Sequence, residues 1–259
     1  MNFFELEAVG GPWSRRLARR RAGFDALPWH EAALGVAPEA LAAARWVWTQ
    51  SAFSEYASAA AFAEIATRML AAGAPIDLVA AAGDFVADEM LHAELSARVA
   101  AALGGAVALE VDYRKLVRPP SGQGVLLQAA ELIVRTSCVG EALTLPVLGL
   151  AKAQATSPLI RRVLTRIIRD EAHHAQMGPW FLDWAADRLT DTDRSHLGRV
   201  ATSAIRDFSP LFGAACGPGT GLGVLACRDY DAAFAEALSR RVVAPLKTRG
   251  IDVSFDAVD

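Results

Sequence analysis

Apolar residues recur along most of this chain at steps of three and four, and strict alternation is nearly absent, so the pattern is that of amphipathic helices rather than strands. A first long helix is expected over about 38–72. It ends at Gly73-Ala74-Pro75, where the glycine suits a C-cap and the proline suits the next first turn. A second fills about 75–103 and closes at Gly104-Gly105. The stretch from there to Gly124, with Pro119-Pro120-Ser121-Gly122, is too long for a tight turn and has room for a short extended piece over 107–111. A third helix is expected over about 125–155, Thr156-Ser157-Pro158 breaks it, and a fourth runs over about 158–189. Four helices of ~30 residues, each ~45 Å long and joined short, long, short, describe a four-helix bundle with one long crossover.

Thr190-Asp191 can cap a fifth helix over about 191–212, and a further one is expected over about 229–247. The expected fold class is therefore all-α, a bundle with one or two extra C-terminal helices. Residues 1–37 form an N-terminal extension in which Trp13, Phe24 and Trp29 pack, 38–189 the bundle, and 190–259 helices lying on it. The glycine run Gly217-Pro218-Gly219-Thr220-Gly221-Leu222-Gly223 follows no strand, which argues against a phosphate cradle and for a mobile loop.

Composition narrows the function. With 259 residues, 53% of them hydrophobic, the chain can bury a large core. A net charge of −3 gives no basic surface for nucleic acid. The exception is Arg15-Arg16-Leu17-Ala18-Arg19-Arg20-Arg21, read as a solvated face or a partner contact, because no apolar signal-peptide core follows it. Charged residues punctuate every alanine-rich stretch, so no membrane span is expected. Three cysteines, Cys138, Cys216 and Cys227, suggest neither a disulfide framework nor a zinc site, and so a reducing, cytoplasmic compartment.

The strongest chemical signal is a repeated D-E-x-x-H. Asp88-Glu89-Met90-Leu91-His92 lies on the second helix and Asp170-Glu171-Ala172-His173-His174 on the fourth. Glu and His three apart share a helix face, so both pairs can point at one metal centre inside the bundle. Hard cations then need a carboxylate from each remaining helix. On the third helix Glu141 lies 171 − 141 = 30 residues before Glu171 with the midpoint in the turn, whereas Glu131 reads as a surface pair with Arg135. On the first helix Glu55 shares its stripe with Trp48, Ala52, Ala59, Phe62 and Met69, while Glu64 sits above Arg68 on the other side. The expected ligands are thus Glu55, Glu89, His92, Glu141, Glu171 and His174. Buried on apolar stripes, their carboxylates require a compensating cation.

Asp88 and Asp170 suit acceptors for the free N–H of the histidine on the opposing helix, Asp88 for His174 and Asp170 for His92, with solvated aspartates as the alternative. His173 lies off the ligand face. Gly140 and Pro146 should kink or bulge the third helix beside the site. Ser137, Cys138 and Thr144 next to Glu141 either line a pocket or simply pack.

These residues resemble the ferritin-like superfamily of non-haem di-iron carboxylate proteins, over about 40–189, through Glu55, Glu89-x-x-His92, Glu141 and Glu171-x-x-His174. The resemblance implies two iron ions, with manganese or a mixed Mn/Fe pair satisfying the same ligands. It implies an oxidoreductase that uses O2 to oxidise or oxygenate a small organic substrate, with an electron-donor protein and room for a homodimer. The roughly 70 residues beyond the fourth helix favour such an enzyme. Two alternatives are an iron-oxidising, iron-handling protein and a helical interaction protein with a structural metal. The superfamily's N-oxygenase branch carries a third histidine one turn before its last Glu, and this chain has Ile167 there.

Overall fold

A computed structural model describes residues 2–213 and 216–254. Proline and glycine set the helix ends much as the pattern requires. Helix α1 spans Gly11–Arg20, α2 Pro38–Ala71, α3 Ile76–Ala102, α4 Val125–Gln154, α5 Pro158–Trp184 and α6 Asp191–Gly213. Helix α7 runs over 227–247, from Cys227–Ala237 through a π-helical turn, Leu238–Val243, to Ala244–Lys247. Pro38 and Pro158 occupy first-turn positions, where their missing N–H costs nothing. Gly73 takes φ 66° just past α2, a conformation that disfavours any side chain. Thr190 and Asp193 cap α6 reciprocally, each side chain accepting the other's backbone N–H, at 3.2 and 2.9 Å.

Two small β pairs tie down loops. Strand β1, Asn2–Phe3, pairs antiparallel with β2, Glu110–Val111, in the expected extended stretch, and β3, Cys216–Gly217, pairs parallel with β4, Leu225–Ala226.

The four long helices close a ring: α2 packs on α3 and α4, and α5 packs on α3 and α4. Their apolar stripes form two separate clusters along the ring axis. One contains Phe62, Met69, Phe85, Ile133 and Phe181, the other Trp48, Leu91, Leu95, Ile160 and Leu164. Helices α6 and α7 both lie against α4. That helix is interrupted by a π-helical segment, Val134–Glu141, which ends on a candidate ligand and lies before Pro146 rather than at it. A Cβ on Gly140 would stand 3.1 Å from the Phe208 ring, so the glycine lets α6 approach the bulge closely.

Several expectations change. Cys216 and Cys227 form a disulfide that links β3 to the start of α7, which leaves Cys138 as the free cysteine among the described residues and removes the cysteine argument for a reducing compartment. The glycine run is packed rather than loose. Leu222 and Val224 are buried, the Leu222 carbonyl accepts from Trp48 Nε1 at 2.8 Å, and the Gly221 carbonyl accepts the Thr156 N–H at 2.9 Å. Phe24 is buried, but Trp13 is 73% exposed and packs no core. Helix α4 is in fact long and apolar enough to cross a membrane by composition, and 61% of its most apolar stretch is buried in the protein, as in an interior helix.

Candidate metal centre

The layer between the two apolar clusters is polar, and each long helix supplies part of it. Glu55 comes from α2, Glu89 and His92 from α3, Glu141 from the π turn of α4, and Glu171 and His174 from α5. All but Glu55 are buried, and the Glu55 side chain remains 15% exposed. Each histidine turns Nδ1 towards the other motif's glutamate. His92 Nδ1 is 2.9 Å from Glu171 Oε1, and His174 Nδ1 is 3.0 Å from Glu89 Oε1 and 2.9 Å from Glu171 Oε2. His92 Nδ1 also lies 3.7 Å from Glu89 Oε2 and 3.9 Å from Glu55 Oε2.

Two overlapping ligand sets result. Glu55, Glu89, His92 and Glu171 form one, and Glu89, Glu141, Glu171 and His174 the other, each with one ligand atom per residue within 4.8 Å of the rest. Glu89 and Glu171 belong to both. Both Glu89 oxygens are buried and neither has a well-aligned hydrogen-bond donor, a costly state for a carboxylate, although His174 Nδ1, shared with Glu171, stands 3.0 Å from Oε1. Four carboxylates and two imidazoles are the oxygen and nitrogen donors that divalent transition ions take. The donor set fits, and these buried groups could hold a metal ion.

Electrostatics show the same deficit of positive charge. Burial and the neighbouring Glu89 and Glu171 push the Glu55 carboxyl well above its ordinary range, and burial with Glu171 and Glu89 does the same to Glu141. Burial disfavours the His174 imidazolium, but Asp88, Glu171 and Glu89 together overcome it and raise its pKa to about 12. His92 is raised well above its ordinary value against the same burial, by Asp170, Glu171 and Glu89. Glu171 and Asp170 move down despite burial, held ionised by the histidines and, for Asp170, by Arg166. Without metal, protons stand where cations would.

Behind the histidines, Asp170 Oδ2 lies 3.3 Å from His92 Nε2 and Asp88 Oδ2 lies 3.8 Å from His174 Nε2, the crosswise arrangement that the repeated motif predicts. Phe85 and Phe62 cover His174, with ring centroids 4.3 and 5.2 Å away. Ser137 is buried with an unpartnered hydroxyl. Cys138 lines a cavity of about 60 Å³ with Ala142, Pro179, Leu182 and Arg241, and burial lifts its thiol to about 12, so it stays neutral. Thr144 instead donates to the Gly140 carbonyl at 3.0 Å, a backbone group within the π turn.

Glu64 faces away in a 2.8 Å pair with Arg68, and His173 is exposed. Glu131 is not a surface residue. It is buried, accepts the Ser121 N–H at 2.9 Å and the Gly122 N–H, and meets His196 Nε2 at 3.0 Å, while Arg135 pairs with Asp207 at 2.8 Å. Sequence reasoning missed the arginines around Asp88 and Asp170. Arg166 carries a findable signal, its four-residue spacing from Asp170, whereas Arg20 has none, since it joins α3 from 68 residues away. Comparison with protein-family models, with curated proteins and with solved structures returns no match to this chain.

Proposed function

We propose that the protein is a dinuclear metal-dependent oxidoreductase of the ferritin-like kind, which uses dioxygen to oxidise a small organic substrate. One observation carries the reading: two four-residue ligand sets share Glu89 and Glu171 and keep one histidine each, the arrangement a pair of adjacent ions needs and a single ion does not. When bound, two iron ions would supply the electrons for dioxygen reduction, which these side chains alone cannot. Glu55, Glu89, His92 and Glu171 would hold one ion, and Glu89, Glu141, Glu171 and His174 the other. Asp170 accepts from His92 Nε2 and so keeps its Nδ1 aimed inward. Phe62 and Phe85 exclude water from His174. The covering of the Glu141 side by α6 and α7 supports an enzyme over an iron store.

Anaerobic Fe(II) loading followed by metal analysis, with an oxygen pulse and sizing chromatography, tests the proposal. About two ions per chain should bind, oxidation should stop near that number, and reductant with substrate should then be required. Oxidation of many equivalents by a cage-sized assembly would instead mark an iron-handling protein. Glu89→Ala or Glu171→Ala should remove most binding and Glu64→Ala none; unchanged uptake in the first two would sink the dinuclear reading.

A further inference from the structure

Helix α1 has no buried residue, yet its last turn sits against the outer side of the candidate centre. Arg20 Nη1 donates to Asp88 Oδ1 at 2.8 Å, and its Nη2 lies 3.6 Å from Asp84. Arg166 Nε donates to Asp170 Oδ2 at 2.5 Å, and its Nη1 donates to the Arg20 backbone carbonyl at 2.9 Å. Arg169 reaches Asp170 Oδ1 at 3.2 Å. Both aspartates behind the histidines are therefore held by arginine, but from different parts of the chain. Asp170 is held from within α5, and Asp88 from the N-terminal segment.

We infer that the N-terminal segment is a working part of the centre, in which Arg20 is a positioning residue that keeps Asp88 turned towards His174 and so completes the Glu89/Glu141/Glu171/His174 half. The inference rests on the dinuclear reading. Asp88 is a fifth exposed (20%), against 9% for Asp170, and stands 3.8 Å from the nitrogen it serves, so its carboxylate has solvent as a competing partner. A charge-assisted bond that fixes Oδ1 leaves Oδ2 directed at the imidazole. The geometry also separates the two halves. Removing the Arg20 side chain spares its carbonyl, and with it the contact to Arg166 and Asp170, so the His92 half keeps its support. Arg21, the next residue, pairs with Glu94 and with Asp25 and touches neither aspartate, which makes it the control for simple seating of the segment.

The test is anaerobic Co(II) titration of the full-length wild type, Arg20→Ala, Arg20→Lys, Arg166→Ala and Arg21→Ala. Visible absorption follows each binding step, and circular dichroism follows unfolding of the metal-free proteins. Arg20→Ala should weaken one of the two steps about tenfold and leave the other in place, as loss of a ligand's outer partner does. Arg20→Lys, which keeps a cation, should recover part of that loss. Arg166→Ala should weaken the step that Arg20→Ala spares, and Arg21→Ala should alter neither. The inference is overturned if Arg20→Ala binds both ions as wild type does, if both steps fall equally, or if Arg21→Ala reproduces the loss. A wild type that takes up no Co(II) overturns the dinuclear reading itself, a result distinct from normal wild-type uptake with an unaffected Arg20→Ala.

Discussion

Glu55, Glu141, His92 and His174 bind protons more tightly in the folded protein than in the unfolded chain, and this sets how the metal-free form responds to pH. The two carboxyls are raised above 4.5 by burial and carboxylate neighbours, and the imidazoles are raised above 6.5, His174 to about 12. A group with a raised folded pKa contributes stability that is complete below its unfolded pKa and is lost as pH climbs towards the folded one. Asp170 and Glu171 have the opposite sign. Their folded pKa values are depressed, so their contribution is present above the unfolded values of 3.8 and 4.5 and fades only in acid. Between about pH 5 and 8 the second pair is constant and the first four all act in one direction. The metal-free protein should therefore lose thermal stability as pH rises from 6 to 8, and loading with a divalent ion should abolish or reverse that trend. Unfolding midpoints by circular dichroism across this range check it; a metal-free midpoint that rises with pH would mean that the cluster is not protonated as described.

At the scale of elements, helix α4 shows what the sequence made legible and what it did not. The four long helices, their ends and the level placement of Glu141 with Glu171 follow from periodicity, caps and the turn midpoint, because these are properties of one helix or one hairpin. The bulge was legible in place as well as in kind, at Gly140 beside Glu141. It occupies Val134–Glu141, while Pro146 lies inside the regular turns that follow. Glu131 was misread because its partners lie outside the hairpin, in the crossover at Ser121 and Gly122 and on α6 at His196. The four-residue spacing to Arg135 is real, yet Arg135 turns to Asp207 instead. Arg20 shares that cause, 68 residues from its partner, whereas Cys216 and Cys227 lie only eleven residues apart and were passed over because three cysteines in so long a chain do not suggest a disulfide. Glu131→Ala strands the buried Gly122 N–H and takes a partner from the more exposed Ser121 N–H and His196, and should cost about 1–3 kcal/mol. Denaturant unfolding measures the loss. Metal uptake should stay intact, because Glu131 belongs to neither ligand set.

Across the whole molecule, the core is two apolar clusters separated by a polar layer, and every long helix passes through both clusters and the layer between them. Apolar burial stabilises each end, but the layer opposes folding when its carboxylates lack a cation, Glu89 most of all because neither oxygen has a well-aligned donor and its neighbour His174 Nδ1 is shared with Glu171. A bound ion pair would reverse that sign and bind the four helices to one another at mid-height. Binding to the folded form alone adds about 2.7 kcal/mol at a hundredfold excess over Kd. For a chain of this size, at ~2–4 °C per kcal/mol, each ion should raise the midpoint by roughly 5–10 °C at that excess, and the rise should continue logarithmically with the free metal concentration. Glu89→Gln separates the two effects. It keeps the shape and removes a buried charge, so the metal-free variant should match or exceed the wild type in stability, while most of the metal-induced rise should vanish. Thermal scans of both proteins with and without Co(II) decide the matter. A variant that is less stable without metal yet gains as much from it would show that Glu89 is a packing residue and that the ions, if bound, lie elsewhere.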